Sequence, residues 1–245
     1  MLFAAVTLVA GMGLVPPLGS PSPSFQLTAA DGVRVYAQAY ETADAKAPTI
    51  LLFHQAGSSK TEYATIAPRL NQLGFNALAI DQRSGGDLFQ PPNETVLNLG
   101  RSTNKYEEVV PDMEAALTWA EKIHPGSKIY LWGSSYSASL VFLLAEKHPK
   151  EIFAVIAFSP AEYLSDKSAV HRAASKVHVP VFIDSAPQEI AAARSIFDAV
   201  PSKLKTQYKP RAGVHGSSTL RVDRDPAGSE LNWNAVTRFL RSLPR

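Results

Sequence analysis

Residues 127–137 read Ser-Lys-Ile-Tyr-Leu-Trp-Gly-Ser-Ser-Tyr-Ser, and this stretch decides how the whole chain folds. Ile129 to Trp132 is a short apolar run of β-forming residues. Gly133-Ser134-Ser135-Tyr136-Ser137 follows, and a helical pattern then runs from Ala138 to His148. The order is strand, sharp turn, helix, with Ser135 at the apex. In a nucleophile elbow the apical backbone is strained, so the residues two before and two after it must be small. Gly133 and Ser137 meet that demand. The last position is usually Gly; Ser137 is slightly larger and is expected to fit. The pentapeptide alone also describes an ordinary Gly/Ser turn, and the flanking strand and helix are what separate the two readings.

Moving outward, strands and helices alternate. Thr49 to Phe53 is an unbroken apolar run, as expected where both faces of a strand are covered by helices. Phe75 to Ile80, Ile152 to Phe158, Val179 to Ile183 and a short Lys205 to Tyr208 read as further strands. Helical spacing fills the gaps. Thr61 to Leu73 places Tyr63, Ile66, Ala67, Leu70 and Leu73 on one face and stops at Gly74; Tyr106 to Ile123, Ile190 to Phe197 and Leu231 to Leu243 follow. Near the start, Ser24 to Thr28 and Val33 to Tyr40 bracket Ala30-Asp31-Gly32, a hairpin signal. The predicted class is α/β: a mostly parallel sheet flanked by helices, with an antiparallel N-terminal hairpin at its edge. Ser84 to Lys105, with Gly85-Gly86 and Pro91-Pro92, is the one long irregular stretch. It reads as a substrate rim or lid, or as a surface excursion without a role.

The totals fit one domain over residues 24–245. The chain has 245 residues, 45% hydrophobic and 19% charged, enough for a substantial core. A net charge of +2 provides no field to gather nucleic acid or anionic membrane. The absence of cysteine excludes disulfides, a thiolate nucleophile and cysteine-ligated zinc. No metal motif and no phosphate-cradling Gly-rich loop occurs, so no cofactor is called for. Met1 to Val15 is almost wholly apolar and is followed by Pro16-Pro17 and the Pro/Ser-rich Gly19 to Ser24. The run is short for a bilayer span of roughly 20 residues and resembles the core of a secretory signal with a flexible linker behind it. Residues 1–23 are therefore expected to be a signal peptide or uncleaved anchor, and the protein to be secreted or periplasmic.

An apical serine hydroxyl is a poor nucleophile at neutral pH. It requires a base, an acid to orient the base, and donors for the oxyanion formed on attack. Six histidines are available. His124 and His148 sit at helix ends before Pro, and His171 and His178 flank an expected surface helix. His215 lies in the Gly-rich Ala-Gly-Val-His-Gly-Ser-Ser loop after the last strand and is the candidate base. His54 closes the strand Thr49 to Phe53 and is read as structural. The turn it opens offers backbone N–H groups towards the elbow: Ala56 first and Gln55 second, together with Tyr136 after the serine. The acid is sought after Val179 to Ile183. Glu189 ranks first, Asp184 is the alternative, then Asp166, with Glu162 a further option. Asp81 and Arg83 read as a structural ion pair holding the long loop.

With those residues in place, the chain resembles the α/β-hydrolase superfamily. The pieces that carry the likeness are His54-Gln-Ala-Gly-Ser-Ser59, Asp81-Gln-Arg83, Gly133-Ser-Ser-Tyr-Ser137, the carboxylates from Asp184 to Glu189, and Val214-His-Gly216. Their order is oxyanion turn, nucleophile, acid, histidine, over about residues 24–245. The late Val-His-Gly is similar to the dienelactone-hydrolase-like branch, although that group often carries Cys where this chain has Ser135. Gln55 stands where Gly often follows the first His. The resemblance implies a serine hydrolase acting on a carboxylic ester or related acyl compound, with a small-molecule substrate as partner. The rivals are a non-catalytic binding protein on the same fold and a small peptidase. Phe89, Tyr106, Tyr136 and Tyr163 suggest an apolar or aromatic acyl group.

Overall fold

The computed structural model describes residues 19–44 and 46–244. The expected leader, Met1 to Val15, lies outside the described residues. Eight strands form one sheet: β1 (Phe25–Thr28), β2 (Arg34–Tyr40), β3 (Thr49–Phe53), β4 (Asn76–Ile80), β5 (Ile129–Ser134), β6 (Ile152–Phe158), β7 (Val181–Asp184) and β8 (Lys205–Gln207). Their order across the sheet is β1-β2-β4-β3-β5-β6-β7-β8. β1–β2 and β2–β4 are antiparallel, and every pairing from β4–β3 onwards is parallel. This is the α/β-hydrolase fold that the resemblance implies, with the hairpin at its edge.

Every residue of β3, β4 and β5 is buried, because helices cover both faces. On one face, Leu51, Leu78 and Leu131 pack with Met113 and Leu117 of α3 (Val110–Ile123), Leu140 and Leu144 of α4 (Tyr136–Lys147), Val170 of α5 (Ala169–Ala174) and Ile196 of α6 (Ile190–Ala199). On the other, Ile50, Leu52, Trp132 and Phe182 pack with Leu70 of α1 (Ala67–Gln72) and with Trp233, Val236 and Phe239 of α7 (Ser229–Ser242). Burial of such side chains contributes on the order of 2 kcal/mol each.

Four expectations about the helices and the long loop are corrected. Thr61 to Leu73 is not one helix: a 3-10 turn, Lys60–Tyr63, precedes α1, whose first turn holds Pro68. Proline has no N–H to offer the carbonyl of Ala64, so an unbroken helix would lose a bond there. Pro111 divides Tyr106–Val109 from α3 in the same way. The stretch from Ser84 to Lys105 contains a helix, α2 (Glu94–Leu99), capped by the Asn93 side chain and ended by Gly100 with φ +68°. His171 lies within α5 and does not flank it.

Asp81 and Arg83 do not pair with each other. Asp81 is fully buried and accepts from the Lys60 backbone N–H (2.6 Å), from Lys60 Nζ (2.7 Å) and from the Glu94 N–H (2.8 Å). Arg83 instead grips Asp112 of α3, with its Nη2 2.6 Å from Oδ1, and Asp31 in the hairpin turn. Two separate ion pairs therefore anchor the start of the long loop, and the Glu94 N–H bond to Asp81 ties α2 to the same point. Of the Pro/Ser-rich stretch, Ser22 is bonded to β2, its N–H donating to the Ala39 carbonyl at 2.7 Å, so this part is held and not free.

Candidate active site

β5 runs straight into the elbow. Ser135 has φ +61° and ψ −124°, and its N–H donates to the Phe158 carbonyl at the end of β6 (2.8 Å). The turn is so tight that a Cβ on Gly133 would lie 2.4 Å from the Ser137 carbonyl oxygen and 2.5 Å from the Ala138 nitrogen. Ser137 fits because its hydroxyl is used: it donates to the His54 carbonyl (2.7 Å) and accepts from Gln82 Nε2 (3.1 Å).

The loop after β8 returns His215 onto this turn. Gly216 has φ +68°, and a Cβ there would come within 2.4 Å of Ser134 Oγ. Ser134 Oγ in turn accepts from the Ser217 N–H at 2.8 Å. His215 Nε2 is 2.7 Å from Ser135 Oγ, and His215 Nδ1 is 2.6 Å from Glu189 Oε1. Serine, imidazole and carboxylate thus form one hydrogen-bonded line. Burial opposes ionisation of Glu189, but the bonds from His215 and Ser159 outweigh it and hold the carboxyl below the usual range.

The other candidate acids are occupied elsewhere. Asp184 makes no bond to His215: its Oδ1 accepts from the Ser185 N–H (2.7 Å), and its Oδ2 is buried without a partner among the described residues. Burial, with nearby Asp225, pushes its carboxyl up to about 8. Asp166 pairs with exposed Arg172, and Glu162 accepts the N–H groups of Val170 and His171 at the start of α5.

On the opposite side of Ser135 lies the His54 turn. His54 is fully buried; its Nδ1–H donates to the Gln55 carbonyl (2.7 Å) and its Nε2 accepts from the Gln82 N–H (2.9 Å). Burial holds this imidazole below its ordinary range, so it is neutral and serves as a strut. The peptide unit is planar and trans, so fixing the Gln55 carbonyl aims the Ala56 N–H the other way. That N–H meets no acceptor among the described residues. The Tyr136 N–H opens α4 and has no acceptor within the helix. Gln55, the second-ranked donor, is already committed: its N–H donates to Glu62 Oε2 at 2.9 Å.

Two residues of the site were not singled out from the sequence. Glu62 is fully buried and also accepts from Ser134 Oγ (2.7 Å) and Gln55 Nε2 (3.2 Å), while Gln55 Nε2 reaches Ser218 Oγ (3.0 Å). Burial pushes the Glu62 carboxyl up to about 6, against the bonds from Gln55 and Ser134. Its sequence signal was Gln55 itself, an amide where Gly often stands. Ser159 follows β6, and nothing in its residue type marks it.

Among the four aromatics, Tyr106 stacks on Tyr136 at 4.3 Å, and the Tyr163 hydroxyl donates to the Ser159 carbonyl at 3.2 Å. Phe89 is different: it is buried, with the guanidinium groups of Arg221 (4.5 Å) and Arg224 (4.6 Å) against its ring. The long loop is sewn to the turn after His54 through Gly57 N–H to Ser84 O (3.0 Å) and Leu88 N–H to Gly57 O (3.0 Å). A cavity of about 610 Å³ lies at the other end of the sheet, where β3, β4 and β5 begin, and includes none of these residues. Among the described residues no cluster of three His, Cys, Asp or Glu side chains is placed to hold a metal ion, and no helix is long and apolar enough to cross a membrane.

Residues 44–216 match the model of a family described as serine aminopeptidase, S33. No curated protein sequence matches the chain. Solved structures do. Dienelactone hydrolase from Anabaena variabilis superposes with a TM-score of 0.71 at 15% identity, over 92% of this chain and 99% of that one. The esterase Pf2001 from Pyrococcus furiosus gives 0.68 at 18% identity, over 89% of each chain. Est1E from Butyrivibrio proteoclasticus, solved with ferulic acid bound, gives 0.71 at 16% identity, over 89% of this chain and 98% of that one.

Proposed function

The chain belongs to the α/β-hydrolase superfamily, in the family described as serine aminopeptidase, S33, and on that premise we propose that it is a serine hydrolase cleaving a carboxylic ester or related acyl compound through an acyl-enzyme on Ser135. The observation that carries this reading is the line from Ser135 Oγ through His215 to Glu189, with steps of 2.7 and 2.6 Å. His215 Nε2 accepts the hydroxyl proton as Ser135 Oγ attacks the carbonyl carbon. The same proton then goes to the leaving oxygen, whose bond to carbon breaks. Glu189 keeps the Nδ1–H tautomer and stabilises the imidazolium. The developing oxyanion is met by the Ala56 and Tyr136 amides. Water repeats the sequence to release the acid.

A binding protein on this fold does not require such a line, and its retention weighs against that reading. The family description favours one rival within the enzyme class, cleavage of a short peptide. A panel of p-nitrophenyl esters set beside aminoacyl p-nitroanilides separates the two. Ester turnover is expected to dominate and to fall on the order of 10⁴-fold in Ser135→Ala; faster anilide turnover makes the protein a peptidase.

The small-acyl assignment draws support from the ferulic acid bound to Est1E and from the stacked Tyr106–Tyr136 pair beside the elbow. The apolar start of the chain supports export, with residues 24–245 as the hydrolase domain. N-terminal sequencing of the mature protein tests this: a start between residues 16 and 24 is expected, and an intact Met1 in the cytosol contradicts it.

A further inference from the structure

Two non-glycine residues among those described have positive φ: Ser135 at +61° and Ser159 at +58°. The elbow accounts for the first. Nothing in the elbow accounts for the second, and in this region glycine is the residue that fits without strain. Ser159 is nearly fully buried, and its polar atoms are all engaged. The N–H donates to the Asp184 carbonyl (2.7 Å), and its carbonyl accepts from the Tyr163 hydroxyl (3.2 Å). The hydroxyl donates to Glu189 Oε2 (2.6 Å) and accepts from the Gly216 N–H (2.9 Å).

The last two bonds matter most. Glu189 uses Oε1 for His215 and Oε2 for Ser159, with a weaker contact from the Ala186 N–H at 3.2 Å. Gly216 is the residue after His215. One hydroxyl therefore clamps the carboxylate from behind and holds the backbone of the histidine loop at a fixed distance from it. A carboxylate held by one oxygen alone can rotate about its side-chain torsions, and a misplacement of about 1 Å in such a line costs on the order of 10²-fold in rate.

We propose that Ser159 is a positioning residue that sets Glu189 and His215 in register, and that its hydroxyl is what requires a serine at a backbone position suited to glycine. This rests on the hydrolase reading above and names a further residue of that site. A residue that only shapes the chain after β6 would be replaced without loss by glycine, which relieves the strain. A residue that acts through its hydroxyl would not.

The Ser159→Gly and Ser159→Ala variants separate these roles, because both lose the hydroxyl and only Gly gains a relaxed backbone. With a p-nitrophenyl ester, both are expected to lose about 10- to 100-fold in kcat, the effect of removing one bond to a charged group. KM is expected to stay unchanged, although Ser159→Gly melts higher than Ser159→Ala. Ser159→Thr restores the hydroxyl at the cost of a β-branched residue at positive φ; its kcat is expected to exceed that of both, despite a lower Tm. The Gly and Ala pair decides the matter if the Thr variant does not fold. A kcat for Ser159→Gly within twofold of wild type, or kcat values that follow Tm, overturns the inference. A second readout needs no substrate: the downfield proton resonance of the His215–Glu189 bond is expected in wild type and lost in Ser159→Gly, and its persistence unchanged counts against the inference. Failure of the hydrolase reading looks different, as wild-type protein that neither turns over esters nor reacts at Ser135 with a fluorophosphonate.

Discussion

Ser134 Oγ donates to Glu62 Oε1 at 2.7 Å, directly behind the apical serine and out of contact with solvent. Through this carboxylate the His54 turn (Gln55), the elbow (Ser134) and the histidine loop (Ser217 and Ser218) become one unit. Burial raises Glu62 from 4.5 to about 6, so the folded protein holds this proton more tightly than the unfolded chain. The resulting stability is fully present below pH 4.5 and is lost as pH rises through about 6, amounting to about 2 kcal/mol. Urea unfolding between pH 4.5 and 7 is expected to show that loss in wild type and not in Glu62→Gln. Parallel curves for the two proteins would contradict the assignment.

Glu189 and Asp184 are separated by a pair of substitutions. Glu189→Gln is expected to lower kcat by 10³-fold or more while the fold survives, and Asp184→Asn to leave kcat near wild type. Asp184 also has a stability signature. Its folded value of about 8 lies far above 3.8, so its contribution is complete below pH 3.8 and disappears as pH rises through about 8. Asp184→Asn is therefore expected to gain stability relative to wild type as the pH of a thermal melt is raised from 4 to 9. A large activity loss in Asp184→Asn would return that residue to the triad.

Gly216→Ala tests how closely the histidine loop is seated. The added methyl would lie 2.4 Å from Ser134 Oγ on a backbone with φ +68°. The expected result is a fall in kcat of about 100-fold from displacement of His215, with a folded protein by circular dichroism. Full activity would mean that the loop has room the geometry does not allow.

His54→Asn tests the strut role. Loss of the bond to the Gln55 carbonyl frees the peptide unit that aims the Ala56 N–H. A drop of about 10- to 100-fold in kcat is expected, towards the effect of losing one oxyanion donor, with the shape of the pH–rate profile unchanged. A lost acid limb would make His54 a proton-transfer group.

Much of this arrangement was legible in the sequence. The boundaries of β3 and β6 match the apolar runs from which they were read, because a short buried strand bounded by turn residues leaves little freedom. Ser135, His215 and Glu189 were put forward from the demands of nucleophilic attack, and the fold brings them into one hydrogen-bonded line; Ser135 directly follows β5, whereas Glu189 and His215 lie in the loops after β7 and β8. What was missed depends on three-dimensional closure. Glu62 lay in a stretch read for its apolar spacing, and only folding places it under Ser134, 72 residues away in sequence. Ser159 is one serine among many until its φ and its bonds to Glu189 and Gly216 are known. Pro68 and Pro111 were visible, and the expected helices ran through them because the apolar spacing continued on both sides.

The most direct measurement is intact-protein and peptide mass spectrometry after brief treatment with a fluorophosphonate. The expected result is one adduct, on Ser135, formed in wild type, slowed severely in His215→Ala, and absent in Ser135→Ala. An adduct on Ser134, or a reaction rate indifferent to His215, would contradict the account.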